Sequence, residues 1–227
     1  MPFPTRLQLA KLRQTHYMKV TKYSHACVRI EDGGVLVIDP GIWSEAEEAL
    51  DGVDAVLITH EHVDHIDAAK LADAMAKRPQ ATVFAHPAVV EKFAAQWGGA
   101  AQAVNPGESF EAAGLPVRTF GGWHAMIHPD IPLVPNIGFL INGLYHPGDS
   151  FDPPGDIEVE TLFVPVSAPW LKLAESLDFV RAVAPKRAFA LHDCLDSDRS
   201  AALVDGHLST RSGCPYQRLT PGSTIDV

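Results

Sequence analysis

The stretch that decides the fold is Thr59-His60-Glu61-His62-Val63-Asp64-His65. It follows Ala55-Val56-Leu57-Ile58, an apolar and partly β-branched run that is too short for a helix and therefore predicts a buried strand. From Asp67 to Lys77 the apolar residues recur at helical spacing, so a helix is predicted there. A corner between a strand and a helix would thus present three imidazoles and one carboxylate within six residues.

Metal binding explains this concentration of histidines. His60 and His62 are two residues apart, so an extended or turn backbone can direct both rings to one ion. Asp64 and His65 would then point elsewhere and could serve a second ion. Neutral imidazole and carboxylate suit zinc, manganese or iron better than calcium or magnesium. The alternative is a polar loop that is rich in histidine by chance, and a whole heptad of this composition disfavours it.

The run from His60 to His65 resembles the HxHxDH signature of the metallo-β-lactamase superfamily. The superfamily pattern continues with a third histidine, a bridging aspartate and a last histidine, each at the end of a strand. The matching residues of this sequence are His124 in Gly-Gly-Trp-His, Asp149 in Pro-Gly-Asp-Ser, and His192 in Ala-Leu-His-Asp. The resemblance therefore covers nearly the whole chain.

This resemblance implies both a fold and a metal centre. The fold would be an α/β (α+β) four-layer αββα sandwich with the metals at one edge, and the sequence agrees, since strand hairpins and strand–helix units occur in both of its halves. The implied cofactors are two divalent metal ions, first of all zinc, with manganese or iron as alternatives. Their ligands would be His60, His62 and His124 for one ion, Asp64, His65 and His192 for the other, and Asp149 as a bridge.

Two other histidines compete for a place in the site. His128 lies four residues after His124 and is the alternative third ligand, although the position of His124 directly after a predicted strand and a Gly-Gly pair favours His124. Ser24-His25-Ala26 resembles the Gly-His-Ser turn that lies near the pocket of small lactonase-like members. His25 is therefore either a pocket residue or a packed turn histidine.

The loop 125–136 contains three prolines and several apolar side chains, and we predict that this loop and Trp170 wall a substrate pocket. Ordinary core packing is the alternative for these apolar residues. The candidate substrate-binding residues are His25, Trp123, His128 and Trp170.

The resemblance also implies chemistry. The compact length, the Ser-His-Ala turn, the run from Tyr145 to Ser150 and the late Leu-His-Asp look most like the ascorbate-6-phosphate lactonase-like group. We therefore expect a metal-dependent hydrolase that cleaves an ester, lactone or phosphodiester bond of a small molecule. Two cations would lower the pKa of a bridging water, and Asp64, the candidate catalytic residue, would orient the hydroxide and pass a proton to the leaving group. A di-iron redox enzyme and a non-catalytic, metal-stabilised binding protein are the alternatives.

Length and composition set the frame. A chain of 227 residues is long enough for one large domain. Because Met18 opens the first strand-like pattern, we predict a single domain over residues 18–227. Residues 1–17 would be an N-terminal extension that is disordered or not native. The net charge of −10 argues against a nucleic-acid partner, and no apolar run has the length of a signal peptide or a membrane span.

The cysteines indicate the compartment. Cys27, Cys194 and Cys214 are odd in number, widely spaced and without a CxxC pair, which is typical of a reducing compartment. We expect a cytoplasmic protein with a small-molecule substrate and no membrane partner, and the pattern leaves a homo-oligomer open. Cys194, two residues after His192, could lie near the metals, although a buried structural thiol is the favoured prediction.

Overall fold

Two seven-stranded sheets form the centre of the computed structural model, which describes residues 18–97 and 99–227. The predicted extension, residues 1–17, lies outside the described residues. The first sheet contains, in spatial order, β14 (Ser223–Asp226), β1 (Lys19–Lys22), β2 (Val28–Glu31), β3 (Val35–Ile38), β4 (Ala55–Ile58), β5 (Thr82–Ala85) and β6 (Ala101–Ala103). The second contains β13 (Tyr216–Gln217), β12 (Arg187–Leu191), β11 (Thr161–Pro165), β10 (Leu144–His146), β9 (Pro135–Ile141), β8 (Leu115–Trp123) and β7 (Ser109–Ala112).

Helices cover the outer face of each sheet. They are α1 (Ala46–Ala49), α2 (Ala68–Lys77), α3 (Pro87–Phe93) with a 3-10 turn at Ala94–Gln96, α4 (Leu173–Val183) and α5 (Asp198–Arg211). The predicted helix after the motif is confirmed as α2, and the Asp67 carboxylate caps it by accepting a hydrogen bond from Lys70 N at 3.1 Å. Within the described ranges, no helix combines the length and the apolar character needed to cross a membrane.

Three buried apolar clusters define the layers. One packs the inner faces of the two sheets together, another joins the first sheet to α1, α2 and α3, and the third joins the second sheet to α4 and α5. Strand β4 shows how this arises, because Ala55 and Leu57 belong to the first cluster while Val56 and Ile58 belong to the second. A strand that is buried on both faces needs a continuous apolar run. The predicted four-layer αββα sandwich is confirmed.

Strand direction brings the ligand-type residues to one edge. Strands β3, β4 and β5 are parallel, and so are β10, β11 and β12. Strand β8 is antiparallel to β9, which is antiparallel to β10, so β8 runs in the same direction as β10. The carboxyl ends of β4, β8, β10 and β12 precede the four segments that carry the predicted ligands. The predicted loop 125–136 ends earlier than expected, because its last two residues pair with β8 as the start of β9.

Candidate metal centre

The motif heptad forms a tight turn between β4 and α2. The backbone N–H groups of His65 and Ile66 both donate to the carbonyl oxygen of His62, at 3.0 and 3.1 Å. Gly41, in the loop after β3, packs its backbone against this turn, and a Cβ at Gly41 would lie only 1.7 Å from the carbonyl oxygen of Asp64. This close approach of two loops requires a glycine.

The predicted ligands meet at this edge in three overlapping sets, within each of which the ligand atoms lie within 4.8 Å of one another. The sets are His60, His62 and His124; His60, His65 and Asp149; and Asp64, His65 and His192 together with His25. We call His60, His62 and His124 the first group, and Asp64, His65 and His192 the second group. The structure thus brings together every residue that the sequence predicted as a ligand.

Asp149 lies between the two groups. Its Oδ2 is 3.2 Å from His124 Nε2 and 3.1 Å from His192 Nε2, so a single oxygen faces a histidine of each group. The other oxygen, Oδ1, is 3.1 Å from Nε2 of His65. The backbone N–H of Asp149 donates to the side-chain oxygen of Asn136 at 3.0 Å, which holds the carboxylate in this central position.

Four of the histidines are oriented by their other ring nitrogen. His60 Nδ1 donates to Thr59 Oγ1 (2.9 Å), His65 Nδ1 to Asp39 Oδ2 (2.7 Å), His124 Nδ1 to the carbonyl of Ala125 (2.5 Å), and His192 Nδ1 to the carbonyl of Ser167 (2.6 Å). The Nε2 atoms therefore point into the centre. Those of His65, His124 and His192 are buried without a hydrogen-bond partner, as is Asp149 Oδ1.

Such orphaned polar atoms are rare in protein interiors because each carries a desolvation cost. Their convergence, together with the anchored Nδ1 atoms, is the arrangement that fixes imidazole as a metal ligand. The donor set of imidazoles and carboxylates suits zinc, manganese or iron. These residues therefore fit a divalent metal centre.

The electrostatics of the centre favour cations. Burial alone would lower the pKa of His65, but the carboxylates of Asp149 and Asp39 raise it well above its usual value. Burial likewise opposes protonation of His192, and Asp149 is the main group that raises the pKa of His192, to about 9. Burial would raise the pKa of Asp149, whereas His65 and His192 hold it well below its usual range. Ionised carboxylates thus draw positive charge into a buried site.

Asp39 and Thr59 support the centre, a role that was not predicted from the sequence. Asp39 is fully buried and accepts hydrogen bonds from Thr59 N at 2.8 Å, from Thr59 Oγ1 at 2.6 Å and from His65 Nδ1. Because β3 and β4 are parallel neighbours, their following residues meet at one edge. An aspartate directly after a buried strand was the available signal.

Asn136 was missed as well. It is fully buried, and its side-chain N–H donates to the carbonyl of Pro147 at 2.8 Å while its oxygen holds Asp149. Gly148, at φ +64, lies so close that an added Cβ would be 2.3 Å from the Asn136 oxygen. The Asn136 side chain thus positions the turn that carries Asp149, and no local sequence pattern indicates that contact.

His25 lies behind the second group rather than in an open pocket. Its Nε2 is 3.0 Å from Asp64 Oδ2, and its carbonyl oxygen accepts a hydrogen bond from His192 N at 3.0 Å. Because its side chain is fully buried, any influence of His25 on a substrate would pass through Asp64. Its Nδ1 lies 3.1 Å from Cys194 Sγ. The prediction of a buried thiol at Cys194 was wrong, because this cysteine lies exposed on the loop between β12 and α5.

The other candidate substrate-binding residues differ in position. Trp170 packs edge-on against two histidines, with ring centroids 5.5 Å from His124 and 5.8 Å from His192. Trp123 is 58% exposed beside His124. His128 is exposed and accepts a hydrogen bond from Asp130 N at 3.1 Å, so the structure brings His124 and not His128 to the ligand set. Substrate contact by these residues stays a prediction.

Comparison with known proteins identifies the family. A sequence profile of the β-lactamase superfamily domain matches residues 19–192. Protein Rv0786c of Mycobacterium tuberculosis is 37% identical over 215 residues, which are 92% of this chain and 99% of that protein. A protein of Xanthobacter autotrophicus named UPF0173 metal-dependent hydrolase is 34% identical over 128 residues, about half of each chain.

A solved structure has the same fold. Igni18, described as a novel metallo hydrolase from Ignicoccus hospitalis, aligns with a TM-score of 0.72 over 93% of this chain and 98% of its own, at 20% sequence identity. The sequence profile covers most of the chain, and the site lies where the strands of the two sheets end. The chain therefore belongs to the metallo-β-lactamase superfamily.

Proposed function

We propose that this protein is a metal-dependent hydrolase with a dinuclear centre and that it cleaves an ester, lactone or phosphodiester bond of a small molecule. The observation that carries this proposal is the convergence of buried, unpartnered ring nitrogens on Asp149 from two groups of histidines. The relatives that are named metal-dependent hydrolases support the reaction class.

The residues that would hold the two ions follow from the geometry. The first group would hold one ion, the second group the other, and Asp149 would contribute to both, since its Oδ2 faces His124 and His192 at nearly equal distances. Zinc is the proposed metal, because three or four imidazole and carboxylate ligands per ion suit it well. When bound, divalent cations supply Lewis acidity and lower the pKa of water for attack on the substrate.

Asp64 is the proposed catalytic residue. Although burial would raise the pKa of Asp64, the neighbouring imidazoles of His192 and His25 lower it, so the carboxylate is ionised. The His25 contact fixes Oδ2, and the carboxylate remains 15% exposed. We propose that Asp64 orients the attacking water, takes its proton and delivers that proton to the leaving oxygen.

The direct test is elemental analysis of tag-free protein, followed by a screen of lactones, esters and phosphodiesters. We expect about two zinc or manganese ions per chain and activity that disappears with a chelator. His62→Ala should lose one ion and turnover together, whereas His207→Ala, on α5, serves as the matched control and should keep both. The narrower resemblance to the ascorbate-6-phosphate lactonase-like group would gain support from lactone cleavage.

Other results would overturn the proposal. Iron with a visible charge-transfer band, and no hydrolysis, would favour a redox enzyme. A full complement of metal without turnover of any screened class would favour a binding protein. Full metal content and turnover in His62→Ala would show that the assignment of the first group is wrong.

A further inference from the structure

The large apolar side chains that are exposed in the described part of the chain lie mostly on segments that carry or adjoin the proposed ligands. Only one of the nine, Leu203, lies elsewhere, on α5. The other eight, which we call the apolar rim, are Ile42, Trp43, Val63, Trp123, Met126, Ile131, Leu133 and Leu195. Single exposed apolar residues are ordinary on protein surfaces, but a group of them around one site marks a place that binds an apolar partner.

Four members of the apolar rim adjoin the proposed ligands or His25, directly or through one backbone hydrogen bond. Val63 lies between two of the ligands in the motif, and its carbonyl accepts a hydrogen bond from Ile42 N at 2.9 Å, which joins the loop after β3 to the motif turn. Trp43 packs edge-on against His25, with ring centroids 4.9 Å apart. On the opposite sheet, Trp123 directly precedes a ligand. An apolar group at this rim would therefore lie next to the reacting centre.

The charges beside the rim disfavour an anionic partner. Lys92 reaches the motif turn, and its ammonium group lies 3.1 Å from a carboxylate oxygen of Glu61. Arg218, near Cys194, is held by Asp205 at 2.9 Å and by Asp196 at 3.1 Å. The chain as a whole carries a net charge of −10. These features do not provide the free basic groups that recognise a phosphate or an anionic lipid surface.

We propose that the substrate is an uncharged ester or lactone with a hydrocarbon chain that lies on the apolar rim. This inference rests on the proposed hydrolase function and names its substrate class. In the reaction, the oxygen of water bonds to the carbonyl carbon, the bond from that carbon to the ester oxygen breaks, and the leaving oxygen takes the proton held by Asp64. The products are a carboxylic acid and an alcohol, or a hydroxy acid from a lactone.

The first test measures hydrolysis of p-nitrophenyl esters with acyl chains from acetate to decanoate by the zinc-loaded protein. We expect kcat/KM to rise about three- to fourfold for each methylene group that the rim buries, mainly through KM. The double variant Trp123→Ser with Met126→Ser should flatten this dependence, so that its kcat/KM varies little from acetate to decanoate. Leu203→Ser removes an equally exposed apolar side chain far from the rim and should keep the dependence.

The second test is independent of turnover. Quenching or enhancement of tryptophan fluorescence on titration with 1-octanol, which the enzyme cannot hydrolyse, should report saturable binding to the wild type and to Leu203→Ser. The double variant should bind at least tenfold more weakly. Octanol binding without cleavage of any ester, lactone or phosphodiester would leave the apolar site in place and remove the hydrolase proposal.

Several outcomes would overturn the inference. Ester hydrolysis that does not depend on chain length, with no octanol binding, would leave the hydrolase and remove the apolar substrate. Co-sedimentation with phosphatidylcholine vesicles that the double variant abolishes, without chain-length dependence, would assign the rim to a membrane surface. A dimer in light scattering that the same variant dissociates, again without chain-length dependence, would assign it to a second copy of the chain.

Discussion

The two halves of the metal centre are built differently. The first group consists of three imidazoles, and their anchors are neutral: a threonine hydroxyl for His60 and a backbone carbonyl for His124. His62 is only half-buried. The second group contains a carboxylate, Asp64, and is anchored by another, since the fully buried Asp39 holds His65 at 2.7 Å. The second group is thus the more charged and the more deeply supported half.

Backbone conformation sharpens this contrast. His25, Asp39 and His192 all have positive φ, at 61°, 48° and 56°, and all three serve the second group. The three ligands of the first group are not among the described residues with positive φ. A left-handed residue other than glycine costs roughly 1–2 kcal/mol. Such strain persists only where surrounding contacts fix it. We therefore expect the second group to hold its ion more tightly than the first.

The largest effect is expected where the two groups meet. Asp149→Asn removes the negative charge that both groups share, so metal content should fall from about two ions per chain to fewer than one, and hydrolysis should fall to background. Elemental analysis after dialysis and the rise of Tm on addition of zinc both measure this loss. Asp73→Asn, an exposed aspartate on α2, is the matched control. If Asp149→Asn kept one ion bound at normal affinity, Asp149 would belong to one group only.

The next prediction separates the groups by stability. His65→Ala leaves the buried Asp39 carboxylate without its imidazole partner, so the metal-free protein should lose about 3 kcal/mol of unfolding free energy. His62→Ala truncates a half-buried ring and should cost less than about 1 kcal/mol. Urea denaturation of both variants in chelator provides the comparison. Equal losses would show that the two groups are supported to the same degree.

The sequence predicted the ligands better than their supports. Each ligand follows a strand end in a recognisable motif, and the buried run before His60 already predicted strand β4. The four-layer packing was predicted from the resemblance to the metallo-β-lactamase superfamily. The ligand motifs and the buried strand are local in sequence, and the motifs follow one another in a fixed order. One sequence is therefore enough to predict them.

The supports depend on contacts between distant segments. Asp39 reaches His65 only because β3 and β4 are parallel neighbours, and Asn136 reaches the turn at Asp149 across the β9–β10 hairpin. The left-handed backbone at His25 and His192 is set by tertiary packing and not by residue type. Cys194 was predicted to be buried but is exposed, because its exposure depends on the path of the loop after β12, which no local pattern indicates.

A smaller and more selective effect is expected at Asp39. Asp39→Asn preserves the size of the side chain but removes the charge that orients His65, and substitutions of this kind typically weaken metal affinity by about 10–100-fold. The more tightly bound ion should be affected more, because Asp39 contacts the ring of His65 directly and reaches the ring of His60 only through Thr59 Oγ1. Competition with a chromophoric chelator resolves the two affinities. Equal weakening of both ions would contradict the division into groups.

The smallest effect should come from His25, which supports the second group through Asp64 without occupying either predicted ligand position. His25→Asn tolerates the left-handed backbone but is too short to keep the 3.0 Å contact between ring and carboxylate. Asp64 would then lose the hydrogen bond that fixes its Oδ2, and we expect kcat to fall about tenfold while KM and metal content stay nearly constant. Cys194→Ser, which keeps a donor beside the other ring nitrogen of His25, should change kcat by no more than about twofold. If His25→Asn instead released the ion of the second group, His25 would itself be a metal ligand. The tighter binding by the second group would then come from a fourth ligand and not from its strained backbone and its carboxylates.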